Sequence, residues 1–123
     1  MALIGLAKNF LQERDAYWTA AEISQQPKMV LEMHAELNRD WHRADAFLRP
    51  LLDRPGLRIV LTGAGTSAFI GECLAPLLTG SMKRRVEAIS TTDICASPGS
   101  YVLQDSPTLL VSFARSGNSP ESV

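Results

Sequence analysis

The segment RIVLTGAGTSAFIGE, residues 58–72, constrains the fold more than any other part of the chain. It opens with a short, nearly unbroken apolar run, the pattern of a strand covered on both faces. Two glycines, a threonine and a serine follow within five positions, and a helix-like apolar spacing begins after them. A strand that breaks into a glycine turn and re-enters as a helix is the opening unit of a parallel α/β sheet. Glycines at such a junction let the backbone approach an anion, and the helix N-terminus supplies unpaired N–H groups.

The remainder of the chain divides by period. Before residue 58 the pattern is helical. TAAEI at 19–23 fits a capping box of Thr19 and Glu22, and Pro27 suits the first turn of a new helix. From there Val30, Met33, Leu37, Trp41, Ala44 and Leu48 recur on one helical face. That face, Trp41 and the helix methionines are expected in a core, and Pro50 and the RPG turn at 54–56 should end the helix. His34 and His42 lie at the edge of the same face and read as core-edge or surface residues.

After residue 58 the reading is strand, loop, helix, strand, short helical connection, strand, loop. Phe69, Ile70, Cys73, Leu74, Leu77 and Leu78 mark the helix, which Pro76 should kink or shorten and Gly80 should close. Strands are expected at 84–91, with Arg84 and Arg85 a solvated start, and at 108–114, the most apolar run. The fold class is therefore α/β. A helical segment, 1–57, precedes the first part of a doubly wound parallel sheet, 58–123. Ser119, Pro120 and Glu121 carry the signature of a helix start within the last residues. The chain reads as the N-terminal part of a larger protein.

Composition narrows the function classes. With 123 residues, 46% hydrophobic, 20% charged and a net charge of −1, the chain is an ordinary globular sequence with no basic surplus for nucleic acid. No apolar run approaches the roughly 20 residues of a membrane span, and the first residues, broken by Lys8, do not follow the pattern expected of a signal peptide. Cys73 and Cys95 form no CxxC and no disulfide framework. They read as small core residues of a cytoplasmic protein. The reading calls for no cofactor and no metal.

GAGTSA at 63–68 satisfies the dinucleotide fingerprint GxGxxG/A. Its features serve any phosphate, and the Thr66 and Ser67 hydroxyls favour a terminal one. A second loop, ARSGNS at 114–119, also leaves an apolar strand; it sets Arg115, Ser116, Asn118 and Ser119 around Gly117. If the two strands are neighbours, both loops face one small anion. A dinucleotide site would instead want an acid about 20 residues past the first loop. Glu87 falls mid-strand and Asp93 beyond a run of hydroxyl residues. A terminal phosphate fits better than a dinucleotide. Purely structural roles, with glycines for tight packing and serines for caps, remain the alternative.

With GAGTS, RSGNS and the flanking words EISQQP, LTGAGTSAFIGE and SFARSGNSPESV, the sequence resembles the sugar isomerase (SIS) domain family. The branch it resembles comprises tagatose-6-phosphate ketose/aldose isomerases and amino-sugar-phosphate deaminases. The resemblance implies a flavodoxin-like sheet and a sugar-phosphate isomerase, with or without deamination of an amino sugar phosphate. It also implies that Ser67, with Gly65 and Thr66 beside it, binds the phosphate, and that Ser116 and Ser119 contact it from the second loop. Where the glucosamine-synthase branch has serine and glutamine, this chain has Ala114 and Arg115; Arg115 offers a charge-assisted bond in exchange. The acid and base of related enzymes fall beyond the point matching Val123, so the 123 residues alone are expected to be inactive. A homo-oligomer is expected. A sugar-phosphate-sensing regulatory domain is the runner-up, although the segment before residue 58 lacks the basic character of a DNA-binding domain.

Overall fold

The computed structural model describes residues 2–118, so the expectations for Ser119, Pro120 and Glu121 lie outside the described residues. The chain divides into two compact units, residues 1–47 and residues 48–123.

The first unit opens with a small antiparallel hairpin, β1 (Ala2–Leu3) and β2 (Leu6–Ala7), where helix alone was expected. Ile4 and Gly5 turn it with positive φ. Helix α1 (Lys8–Gln12) follows, then α2 (Tyr17–Leu52), which is 36 residues long. Leu11 and Ala20 are the buried positions of this unit. Thr19, Glu22 and Pro27 lie within α2, so neither the capping box nor the proline marks a helix start. Pro27 cannot donate to the Ile23 carbonyl. Ile23 lies on an exposed part of the helix, where water can take over that bond, and the helix continues. Pro50 likewise falls inside α2 and does not end it. The apolar face is also corrected: Val30, Met33, Leu37 and Trp41 are each more than half exposed, as is Met29. Their helical spacing is real, but among the described residues nothing covers it. His34 and His42 are exposed.

The second unit holds a three-stranded parallel sheet of order β4-β3-β5, from β3 (Arg58–Gly63), β4 (Val86–Ala88) and β5 (Thr108–Phe113). Every residue of β3 is buried, as its unbroken apolar run demands for a central strand. Helix α3 (Thr66–Met82) joins β3 to β4, and the short helices α4 (Thr91–Ala96) and α5 (Pro98–Tyr101) join β4 to β5. Leu57, Ile59, Leu61, Ala75 and Val86 form the core, with Leu74, Leu78, Met82, Leu109, Val111 and Phe113 packed around them.

The face that α3 turns to the sheet is not the one its largest side chains suggest. Gly71 and Ala75 are buried, while Phe69, Ile70, Cys73 and Leu77 are exposed. A Cβ on Gly71 would lie 3.1 Å from the Leu61 Cβ, so small residues let helix and strand approach. Pro76 stays inside the helix, and Gly80 does not close it. The helix ends at Lys83, which takes the left-handed conformation itself and donates its N–H to the Thr79 carbonyl. Strand β4 is shorter than the expected 84–91. Strand β5 alternates between exposed and half-buried residues. It is an edge strand among the described residues. Cys95, like Cys73, is exposed rather than core.

A polar cluster pins the N-terminal end of the sheet. The buried Arg58 guanidinium donates from Nε to the Glu87 carboxylate and from Nη1 to the Tyr101 carbonyl. Arg85 donates to the same carboxylate at 2.7 Å.

Candidate functional site

The register decides where the two loops sit. β3 and β5 are parallel neighbours, paired from Arg58 with Thr108 to Gly63 with Phe113. The loops that leave them, 64–65 and 114–118, therefore emerge side by side from the same edge of the sheet. From β3 the chain crosses to β4 on one side and then returns past β3 to β5 on the other. The gap between β3 and β5 is thus the topological switch point, where open α/β sheets hold their ligands.

Local chemistry shapes the first loop. A Cβ on Gly63 would stand 2.7 Å from the Ser67 carbonyl carbon and 2.8 Å from its oxygen. Only glycine allows the first turn of α3 to fold back so closely on the strand. Gly65 has φ 55 and ψ −128, a left-handed backbone, and nothing lies within 4 Å of where its Cβ would be. The two glycines therefore have separate jobs: Gly63 permits packing, and Gly65 leaves open space at the helix N-terminus. No side chain caps α3, so the positive end of a 17-residue helix faces that space. Thr66 is exposed and Ser67 half-buried. The Ser67 N–H closes a tight turn onto the Ala64 carbonyl at 3.1 Å.

In the second loop Gly117 has φ 68, and the Ser116 hydroxyl accepts from the Asn118 N–H at 3.3 Å. Arg115, Ser116, Gly117 and Asn118 are all exposed. The fold thus brings Gly65, Thr66 and Ser67 to the same sheet edge as Arg115, Ser116, Gly117 and Asn118; Ser119 lies outside the described residues. Glu87, one acid a dinucleotide would need, is engaged by Arg58 and Arg85. Burial pushes its pKa up, but the hydrogen bonds and charges of the two arginines outweigh that and hold it below the ordinary carboxylate range. Asp93, the other, sits in the first turn of α4. Glu72 is exposed on α3. Among the described residues no group of histidine, cysteine and acidic side chains could hold a metal ion, and no helix is long and apolar enough to cross a membrane.

Sequence reasoning passed over one feature at this edge. Ser90 caps α4 and Thr91 and Thr92 open it, and the buried Thr62 hydroxyl donates to Thr91 Oγ1 at 3.3 Å. The run of hydroxyls was visible, but only the sheet order places it beside the first loop.

Known proteins repeat this arrangement. The D-galactosamine-6-phosphate deaminase AgaS of Shewanella sp. (strain ANA-3) is 50% identical over 125 residues, matching 96% of this chain and 31% of its own. A crystal structure from Clostridium novyi NT, assigned as a tagatose-6-phosphate ketose/aldose isomerase, superposes with a TM-score of 0.93 at 43% identity. It covers 99% of this chain and 31% of that one. The chain belongs to the sugar isomerase family. The tagatose-6-phosphate ketose/aldose isomerase of Escherichia coli, with a TM-score of 0.83 and 45% identity, matches 85% of this chain and 29% of its own. No family model matches the sequence. The chain thus spans less than a third of the length of these sugar isomerase relatives.

Proposed function

We propose that the two loops bind the phosphate of a 6-phosphosugar in an enzyme that isomerises sugar phosphates or deaminates amino sugar phosphates. In this reading residues 1–57 form the helical lead segment and 58–123 the first part of the sugar isomerase domain. The observation that supports it most is the register of β3 with β5, which sets two hydroxyl-bearing glycine turns at one switch point. From one side Gly65 and Thr66 offer backbone N–H groups at the start of α3, and Thr66 and Ser67 offer hydroxyls. Arg115, Ser116, Gly117 and Asn118 present a guanidinium, a hydroxyl and an amide from the other. A phosphate dianion suits such donors, because hydrogen bonds to an ionised oxygen are about twice as strong as neutral ones. The pairing of Glu87 with two arginines weighs against a dinucleotide, which would need a free carboxylate for its ribose.

Chemistry at the sugar carbons needs a base that moves a proton between them. None of the described residues in the two loops carries a carboxylate or imidazole, so the loops position the substrate and the proton transfer belongs elsewhere in the protein. The names of the relatives favour galactosamine 6-phosphate or tagatose 6-phosphate as the ligand. Calorimetric titration with galactosamine 6-phosphate, tagatose 6-phosphate and NAD tests the reading. Saturable binding of a sugar phosphate without NAD binding is expected; tight NAD binding with no response to either sugar phosphate would overturn it.

A further inference from the structure

We propose that the corner where α3 ends and β4 begins is a second anion site, one that takes a phosphate-bearing small molecule at the opposite end of the sheet from the two candidate loops. It is independent of the phosphate reading of those loops. β3 runs from Arg58 at this corner to Gly63 beside the first loop, and a strand of that length spans about 17 Å. A phosphate here is out of reach of a sugar held at the switch point.

The chain gathers cations at this corner. Lys83 takes the left-handed conformation that stops α3, and Arg84 and Arg85 follow it directly into β4. These three residues, with Gly56, Leu57 and Met82, line a cleft of about 400 Å³, a size typical of small-ligand pockets. Arg54 stands on the facing loop, where its carbonyl accepts from Arg84 Nη1 at 3.2 Å. Arg84 is half-buried, and this bond pins its guanidinium against the wall of the cleft. The acceptor is neutral, so the guanidinium keeps its whole charge, and most of its N–H donors remain for another partner.

Counter-charge is scarce. Glu87 is shared by Arg58 and Arg85, and among the described residues Arg54, Lys83 and Arg84 make no ion pair. Asp53 is the other acid in the segments that build the corner. Asp105 precedes β5, on the far side of β3. Arg54, Arg58, Lys83, Arg84 and Arg85 thus face only Asp53 and Glu87. The C-terminal end of α3 favours cations, but its dipole is equivalent to about half a negative charge and leaves a clear positive excess. A carboxylate would add one negative charge. A phosphate group adds close to two, and its oxygens accept from arginine and lysine together. Leu57 and Met82 give the remainder of such a ligand an apolar surface.

Amine acylation read by peptide mass spectrometry tests the site on the intact protein, with inorganic pyrophosphate as the probe. Lys83 is exposed, so its labelling rate reports occupancy of the cleft. With pyrophosphate at about ten times its half-saturating concentration, labelling of Lys83 should slow by about tenfold, while Lys28 on α2 changes by less than about twofold. Arg84→Gln should raise the protecting concentration by about tenfold or more; Arg39→Gln, a charge-matched change on α2, should not. Thermal melting checks that each variant is folded. If Arg84→Gln folds poorly, Lys83→Asn, which accepts the left-handed conformation, gives the same comparison by calorimetry. Ser67→Ala should leave the protection of Lys83 intact. Lys83 labelling that pyrophosphate does not slow, equal slowing at Lys28, or an equal loss in Arg39→Gln would overturn the site. Protection by an oligonucleotide without protection by pyrophosphate would overturn it in favour of nucleic acid. Failure of the loops to bind a sugar phosphate would leave these outcomes unchanged, so the two sites stand or fall separately.

Discussion

Gly63→Ala should be the most damaging small substitution in the chain, and its damage can be traced to the ligand. The added Cβ would meet the Ser67 carbonyl carbon at 2.7 Å, its oxygen at 2.8 Å and its Cβ at 2.9 Å. Two of these are backbone atoms and cannot swing away. Carbon contacts settle at roughly 3.5 Å, so the first turn of α3 would have to retreat by about 0.8 Å. Overpacking of this kind costs about 2–3 kcal/mol. For a domain of this size that corresponds to a melting temperature lower by roughly 8–12 °C. The retreat also exceeds the roughly 0.5 Å within which a binding constellation tolerates error. Affinity for a phosphosugar should therefore fall even at temperatures where the variant is folded. Gly80→Ala is the matched control, since nothing lies within 4 Å of its would-be Cβ and it sits inside the same helix. Relief of glycine's backbone entropy should raise stability by about 0.5–1 kcal/mol there. Melting curves and titrations of the two variants provide the assay. A Gly63→Ala protein that melts with wild type and binds ligand equally would refute the packing argument.

Ser67→Ala should weaken sugar-phosphate binding by about 1.5–3 kcal/mol, the worth of a hydrogen bond to a charged group; isothermal titration of the folded variant checks it. Lys83→Gly should stabilise the protein by about 0.5–1 kcal/mol, because glycine adopts the left-handed conformation at φ 53 without strain; chemical denaturation measures it. Glu87 has a folded-state pKa below its unfolded value, so the unfolded chain binds more protons as pH falls. Its contribution is fully present above the ordinary carboxylate range and is lost as pH falls through the lowered folded pKa. Glu87→Gln should therefore flatten that part of the acid-denaturation profile, and a profile identical to wild type would contradict the ion-pair assignment.

The central strand and both loops could be read from the sequence because their signals are local. An apolar run at 58–62 and glycines beside hydroxyls announce themselves within a few residues. What could not be read locally depended on partners. The stripe from Val30 to Trp41 has helical spacing yet is exposed, because periodicity reports a face and not what lies against it. Pro27 and Gly80 carry strong local preferences, yet each lies inside a helix that continues past it. The spacing of Phe69 and Leu77 marks α3 as a helix but not which face is buried; the close approach of Leu61 selects Gly71 and Ala75. The Thr62–Thr91 bond was beyond local reading, since it joins residues on different strands through a sheet order that no single segment specifies.

The switch-point geometry also has a kinetic side. Pairing β3 with β4 requires Ile59 to find Val86, whereas pairing β3 with β5 requires Arg58 to find Thr108, nearly twice as far along the chain. Each doubling of a closed loop adds about 0.6 kcal/mol of entropic cost, and non-local pairings form late. The docking of β5 should accordingly be the last step in folding this unit and the first to open. The two candidate loops meet only once that step is complete, so an anion bound between them would act as a latch on it. Amide exchange along Leu109–Phe113 should slow on ligand addition far more than exchange along Ile59–Leu61.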